Sequence, residues 1–128
     1  MEARALKKLI RSSPRKMRLV IDLIRGKNAT EALNILRFTN KMAAKDAYRV
    51  LDSAVNNLIY KADEKNEKID KDSIFVHKVF VNQGPTMKRL LPAPMGRAFR
   101  MKKRSNHLTI VVATQDHVSA VNNNKDAE

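Results

Sequence analysis

The sequence lacks cysteine altogether, which excludes disulfide bonds and every zinc site built on cysteine. No apolar run reaches the roughly eighteen residues that a membrane-spanning helix needs. The three glycines are isolated from one another, so no glycine-rich loop is available to hold a nucleotide phosphate. Neither the carboxylates nor His77, His107 and His117 have the spacing of a catalytic or metal site. We therefore predict that the protein is not an enzyme and binds no metal, cofactor, small-molecule substrate or membrane.

Acidic residues are missing from a long stretch of the chain. Residues 73–115 contain none, yet they hold eight Lys or Arg, seven of them within residues 88–104. The whole chain has a net charge of +13 and a pI of about 10.4. A balance this basic points first to nucleic acid and second to an anionic membrane. Because like charges repel one another, we expect the basic stretch to bind a polyanion.

The spacing of apolar residues predicts three helices in the first half of the chain. The first covers residues 14–25, because Pro suits the first helical turn and Gly26 suits a left-handed cap. The second covers about residues 28–38, and the third covers about residues 41–65. The apolar stripes of the first and third helices predict the core residues Met17, Val20, Ile21, Ile24, Ala43, Ala47, Val50, Leu51, Ala54, Val55, Leu58 and Ala62.

Alternating β-branched and aromatic residues predict strands over residues 74–81 and 108–112, and residues 3–11 are predicted as another short strand. The first two strands flank the basic stretch. If they pair antiparallel, they carry it outward as a hairpin arm at about residues 84–105. We therefore predict an α+β fold, in which a small body of three helices packs on a short antiparallel sheet and a long β-hairpin protrudes.

The rest of the chain is organised simply. A single domain is predicted over residues 1–114, followed by a flexible tail at residues 115–128. Residues 61–72 alternate in sign and hold five of the thirteen acidic residues, so the positive charge of the chain lies elsewhere. His77 and His107 lie in or beside opposing strands and are expected to be neighbours.

The arm divides into a charged stalk and an uncharged tip that two prolines stiffen. An isolated two-stranded ribbon is marginal in water, and we expect this one to become ordered against phosphates. The stalk is expected to bind RNA or DNA and to present the tip at a defined place. The predicted contacts of the arm are Lys88, Arg89, Arg97, Arg100, Lys102, Lys103, Arg104 and His107. The tip comprises Leu91, Pro92, Ala93, Pro94, Met95 and Gly96.

A second basic region lies at the start of the chain. The first 27 residues hold nine Lys or Arg and two acidic residues. This predicts a separate contact surface on the body, and two surfaces indicate an extended partner that is met at several places. The predicted body contacts are Arg4, Lys7, Lys8, Arg11, Arg15, Lys16, Arg18, Arg25 and Lys27.

Three other interpretations compete with RNA binding. A DNA-architectural protein also uses a basic β-ribbon with a proline at its tip, although it would need a dimer and nothing in the sequence marks a dimer contact. A cationic ribbon that inserts into membranes would need paired aromatic residues, which the flanks of the arm lack. A solvated lysine-rich loop is disfavoured, because strand-forming residues on both sides hold the basic stretch in a hairpin.

Specific motifs narrow the choice. At the start of the chain they are Ser13-Pro14-Arg15-Lys16-Met17-Arg18-Leu19-Val20, Asp22-Leu23-Ile24-Arg25-Gly26, Glu31-Ala32-Leu33-Asn34-Ile35-Leu36 and Phe38-Thr39. In the arm they are Gly84-Pro85-Thr86, Lys88-Arg89, Pro92, Gly96-Arg97-Ala98, Arg100, Lys103-Arg104-Ser105 and His107. Over about residues 2–113 the chain resembles the family of the twenty-second protein of the bacterial large ribosomal subunit.

The resemblance implies a structural constituent of the large ribosomal subunit, located in the cytoplasm as part of the ribosome and assisting subunit assembly. It implies that the body lies near the exit of the peptide tunnel, that the hairpin threads between rRNA helices, and that the tip lines the tunnel. The implied partners are large-subunit rRNA, neighbouring ribosomal proteins and the nascent peptide. Members of the family often carry basic residues in the tip, where this chain has Ala93 and Met95, and often an acid where it has Phe99.

Overall fold

The computed structural model describes residues 1–115 as an α+β body with a protruding hairpin. The sheet of the body is antiparallel, with the strand Asn106–Thr114 between the strands Glu2–Ile10 and Ile74–Gln83, and the hairpin is a separate two-stranded sheet. The predicted fold class is confirmed. The predicted flexible tail, apart from Gln115, lies outside the described residues. The elements are β1 (Glu2–Ile10), α1 (Pro14–Ile21), α2 (Ala29–Phe38), α3 (Met42–Glu64), β2 (Ile74–Gln83), β3 (Met87–Pro92), β4 (Ala98–Lys103) and β5 (Asn106–Thr114).

The core lies between the three helices and one face of the body sheet. Leu108, Ile110 and Val112 alternate along β5 and are fully buried beneath the helices. Ala3 and Ala5 of β1 are buried against α3, which packs along that edge strand. Every core residue predicted from the helical stripes is buried, so that prediction is confirmed. Each large apolar side chain buried in this way contributes about 1.5–3 kcal/mol to folding.

The first helix ends earlier than predicted, at Ile21 rather than Arg25. Beyond Ile21 the chain tightens into turns in which an N–H bonds to a carbonyl three residues back, as from Ile24 to Ile21 at 3.2 Å. Ile24 nevertheless stays fully buried. Gly26 then adopts a φ of 74°, the left-handed conformation predicted for it.

Asn28 connects the start of α2 to the segment before β2. Its Oδ1 accepts a hydrogen bond from the Thr30 N–H at 3.0 Å, which caps the helix. Its Nδ2 donates to the carbonyl of Asp72 at 2.6 Å. Glu31, in the position of a capping-box acid, instead forms an ion pair with Lys27 at 3.1 Å. The cap thus fixes both the helix and the entry into the sheet.

The body sheet has two distinct ends. The register of β2 and β5 pairs Ile74 with Thr114 at one end and Gln83 with Asn106 at the other, where the arm leaves. Residues 63–72, which are rich in acidic side chains, lead into β2 at the first end. The arm and this acid-rich segment therefore lie at opposite ends of the body.

The expected proximity of His77 and His107 is wrong. His107 pairs with Asn82 near the arm, whereas His77 sits at a register shift in β2, just before Lys78. The register of β2 on β5 therefore places His77 opposite the other half of β5, beside Val111 and Val112 and several residues from His107. The His77 ring instead packs edge-on against Phe75, with ring centroids 6.4 Å apart.

Candidate nucleic-acid interface

The arm is a regular hairpin whose cations all face solvent. β3 and β4 pair antiparallel from Met87 with Lys103 to Pro92 with Ala98. Six residues of strand extend about 20 Å at roughly 3.3 Å per residue. No acidic residue interrupts the arm. The seven exposed cations are Lys88, Arg89, Arg97, Arg100, Lys102, Lys103 and Arg104.

Two lysines face each other across this hairpin. Lys88 pairs directly with Lys102, and Arg100 shares their face because side chains alternate along a strand. Like charges placed opposite each other destabilise a strand pair. Within the described residues, none of these three side chains has a hydrogen-bond or ion-pair partner. The arm therefore carries a repulsion that a bound phosphate would relieve.

The tip of the arm is a tight uncharged turn. Pro94–Gly96 form a tight turn, across which the Ala93 N–H donates to the Arg97 carbonyl at 2.9 Å. Met95 adopts a φ of 64°, a left-handed conformation that is uncommon outside glycine. Its side chain is 94% exposed. The turn thus projects an apolar side chain from the end of a charged stalk.

The arm joins the body through a short junction between two ladders. The Gly84 N–H donates to the Ser105 carbonyl at 2.9 Å. The Ser105 Oγ donates to the Pro85 carbonyl at 2.6 Å. The two bonds tie the strands together where regular pairing lapses, so they help to set the direction of the arm.

A buried amide ties this junction to the start of α1. Asn106 is fully buried, and its Nδ2 donates to both the carbonyl and the Oγ of Ser12 at 2.8 Å. The contact joins residues that are 94 positions apart in the chain. Sequence reasoning missed Asn106 and Ser105. The sequence marks these two residues only as small and polar, just before the strand predicted over residues 108–112.

Cations of the body and of the arm converge beside this contact. A cavity of about 770 Å³ lies between the start of α1 and the base of the hairpin. Its lining contains six cations and no acidic residue, so the surfaces that the sequence presented as separate form one site. We call it the junction cradle, and its lining is Arg11, Ser12, Ser13, Lys16, Met87, Arg89, Lys102, Lys103, Arg104 and Ser105.

Four of the nine predicted body cations have partners within the protein. Lys7 pairs with Asp46 of α3, and Lys27 has its ion pair in α2. Arg18 donates to the Val81 carbonyl at 3.2 Å, which holds α1 on β2. Arg25, in the turns after α1, donates to the Val79 carbonyl of β2 at 2.9 Å and also pairs with Asp22 at 3.3 Å. These contacts hold elements of the body together, so the four side chains are less free to bind phosphate.

The other five body cations are exposed and have no intramolecular partner within the described residues. Arg11 and Lys16 belong to the junction cradle. Arg4 lines a different groove, between β1 and α3. The remaining two are Lys8 and Arg15.

His107 lies in β5 of the body rather than on the arm. Its Nδ1 accepts a hydrogen bond from the Leu9 N–H at 3.0 Å. Leu9 has a φ of 57° and lies where the register of β1 shifts, between Lys7 and Ile10. The imidazole thus supports an irregularity in the edge strand, beside the base of the arm.

The described residues offer no alternative chemistry. Over residues 1–115, no group of three or more His, Asp or Glu is arranged to hold a metal ion. Within the same residues, no helix is both long and apolar enough to cross a membrane. The exposed cations are therefore the main chemical feature of this part of the chain.

A sequence model of the family described as Ribosomal protein L22p/L17e matches residues 5–113, which include the body, the arm and the junction cradle. The chain belongs to this family. It is a ribosomal protein and not an enzyme, as predicted, and it is located in the cytoplasm as part of the ribosome.

Curated relatives of this family member cover almost all of its length. A protein of Thermoanaerobacter sp. (strain X514) is 49% identical over 116 residues, which span 91% of this chain and 100% of the relative. A protein of Chlorobium phaeobacteroides (strain BS1) is 46% identical over 119 residues, spanning 93% of this chain and 100% of the relative. Both are named Large ribosomal subunit protein uL22. The resemblance stated from the sequence motifs is confirmed.

Proposed function

We propose that this ribosomal protein is a structural constituent of the large subunit that binds large-subunit rRNA through its arm and its body together. The observation that carries the proposal is the junction cradle, where six cations from two parts of the chain surround one cavity without an acidic residue. Such a site fits a polyanion that reaches both the body and the arm. The names of the curated relatives support the choice of subunit.

The binding mode follows from the chemistry of the side chains. A-form RNA hides its base edges in a deep, narrow groove, so protein contacts run mainly to phosphates, 2′-hydroxyls and the shape of the helix. Lys and Arg along the arm neutralise phosphates, and the released counterions favour binding. Such contacts hold RNA segments in place without reading their sequence, which suits a protein that supports subunit assembly beside neighbouring ribosomal proteins.

The tip is proposed to line the peptide exit tunnel and to meet the nascent peptide. This finer placement is supported by the family resemblance and by the geometry of an apolar turn on a charged stalk. Because Ala93 and Met95 are uncharged, this tip would offer the tunnel a more apolar surface than a basic tip would. We further propose that residues 1–114 act as one domain.

The proposal is tested by neutralising the junction cradle. A variant carrying Arg89→Gln, Lys102→Gln and Lys103→Gln should bind purified large-subunit rRNA more weakly, with a flatter dependence of affinity on salt, because each lost phosphate contact lowers the slope by about 0.7–0.9. Lys65→Gln, Lys68→Gln and Lys71→Gln remove equal charge from the acid-rich segment and serve as the control. Equal loss in both variants would contradict a specific site.

Competition between duplex DNA and structured rRNA at one fixed salt concentration separates this function from that of a DNA-architectural protein. We expect the rRNA to displace the DNA. Preferential retention of DNA would overturn the proposal.

A further inference from the structure

A group of exposed cations on the body lies outside both basic regions predicted from the sequence. Arg37 lies in the last turn of α2, while Lys41 is the N-cap residue of α3, and Lys45 and Arg49 follow it within the helix at intervals of four residues. All four line a single groove of about 890 Å³ between the two helices. We call it the α2–α3 groove. Four residues of helix rise about 6 Å, which separates Lys45 from Arg49 along α3, and the extended residue Lys41 precedes them.

These four cations are not neutralised within the protein. No acidic residue lines the groove. Among the described residues, none of the four side chains has a hydrogen-bond or ion-pair partner. Lys45 and Arg49 are like charges four residues apart within α3, so this pair destabilises the helix slightly. An external anion bound between these cations would attract each of them and offset their mutual repulsion.

The α2–α3 groove is connected to the junction cradle. Lys41 and Met42 line the groove and also line a neighbouring cavity of about 620 Å³. That cavity shares Arg11 and Lys16 with the junction cradle. The acid on this path, Asp46, is already paired with Lys7. A continuous cationic path therefore runs from the base of the arm across the start of α1 to α3.

We propose that the α2–α3 groove is a third rRNA-binding surface, which holds the phosphate backbone of RNA continuing from the junction cradle. The inference rests on the proposed function, since it extends the same ligand along the body. A linear polyanion matches cations that line one continuous groove, and its phosphates would replace the missing acidic partners. The continuity of the path with the cradle favours RNA over the acidic face of a neighbouring protein.

The test uses a variant with Lys41→Gln, Lys45→Gln and Arg49→Gln. Its affinity for purified large-subunit rRNA should fall at least about fivefold at moderate salt, and the slope of log affinity against log salt should flatten by about two. The control again carries Lys65→Gln, Lys68→Gln and Lys71→Gln. It should change affinity less than about twofold, because its lysines lie at the acid-rich end of the body. Circular dichroism of both variants must match the parent chain before affinities are compared.

Backbone footprinting of the rRNA locates the contact. We expect the variant of the α2–α3 groove to lose protection over one RNA segment while protections that depend on the arm persist. An effect no larger than that of the control would overturn the inference. Normal rRNA binding with loss of a neighbouring protein from the reconstituted subunit would also overturn it, because the occupant would then be a protein.

The variant of the junction cradle distinguishes a failure of the third rRNA-binding surface from a failure of the proposed function. If it weakens rRNA binding while the variant of the α2–α3 groove does not, the third surface alone is wrong. If neither variant weakens binding beyond the control, the proposed function fails as well.

Discussion

Gly84 and Ser105 approach each other so closely that a Cβ added to Gly84 would lie 2.5 Å from the Ser105 Oγ and 3.1 Å from its carbonyl carbon. The contact lies where the ladder of the body gives way to that of the arm. The two segments of the backbone can approach this closely only because Gly84 has no side chain. Glycine at this position therefore sets the spacing at the base of the arm.

Gly84→Ala should loosen the base of the arm. The added methyl group has to displace backbone as well as the Ser105 hydroxyl, and overpacking of this kind costs about 1–3 kcal/mol. Hydrogen exchange should accelerate in β3 and β4, while rRNA affinity falls. Adding Ser105→Ala should restore only part of the loss, because the backbone contacts at 3.1 and 3.2 Å remain.

Gly96→Ala is the matched comparison for Gly84→Ala. It meets no atom within 4 Å, although its φ of 69° disfavours a side chain. Its effect should be limited to about 1 kcal/mol at the tip. If both substitutions behaved alike, the close approach of Gly84 and Ser105 would not be what sets the geometry of the base.

Lys102→Glu should stabilise the free arm and weaken RNA binding at the same time. The change places opposite charges across the hairpin from Lys88, which favours the pair by a few tenths of a kcal/mol. Amide exchange in β3 and β4 should slow in the free protein, while affinity for large-subunit rRNA drops. Lys65→Glu makes the same charge change in the acid-rich segment and should alter neither quantity appreciably. Faster exchange in the Lys102→Glu arm would argue against the cross-strand repulsion.

Deleting residues 86–103 should leave the body folded. The apolar core cluster contains no residue of the arm, so the deletion removes no core contact. Circular dichroism should retain the signal of the helices, and unfolding should stay cooperative. The shortened chain should still bind rRNA through the body, more weakly than the full chain. Loss of the helical signal would show that the arm belongs to the core.

Asn106→Ala should destabilise the connection between the arm and the start of α1. It removes both hydrogen bonds to Ser12 from a buried position, which costs about 1–3 kcal/mol. Ser12→Ala removes only the bond to the hydroxyl and should cost less. Chemical denaturation of the two variants measures the difference. Equal losses would mean that the bond to the Ser12 carbonyl contributes little.

The parts of the fold that follow from local patterns were predictable. The burial of Met17 and the left-handed conformation of Gly26 both follow from spacing and residue type. The end of α1 was not predictable, because Arg25 leaves the helix and donates to the carbonyl of Val79 in β2, a contact 54 positions away. The separation of His77 from His107 was not predictable either, since composition does not show the register of β2 on β5, which pairs His107 with Asn82, five positions from His77.

The candidate site divides in the same way. The cations of the arm could be named from the sequence, because a two-stranded hairpin has no second layer to cover them, and all seven are exposed. The convergence of Arg11 and Lys16 with the arm could not, since it depends on the contact between Asn106 and Ser12. The sequence also does not distinguish Arg15 from Arg18, because both belong to one basic cluster. Only the structure shows that the Arg18 guanidinium donates to the Val81 carbonyl, whereas Arg15 has no such bond within residues 1–115.

The opposite placement of the arm and the acid-rich segment gives the protein an electric polarity. Seven cations lie in residues 84–105 at one end, whereas residues 63–72 at the other end hold five acidic residues and three lysines, a net charge of −2. In the field of a polyanion, attraction at one end and repulsion at the other would rotate the molecule until the tip leads. Orientation would then be selected during approach, before any contact forms, and it would weaken as salt shortens the range of the field.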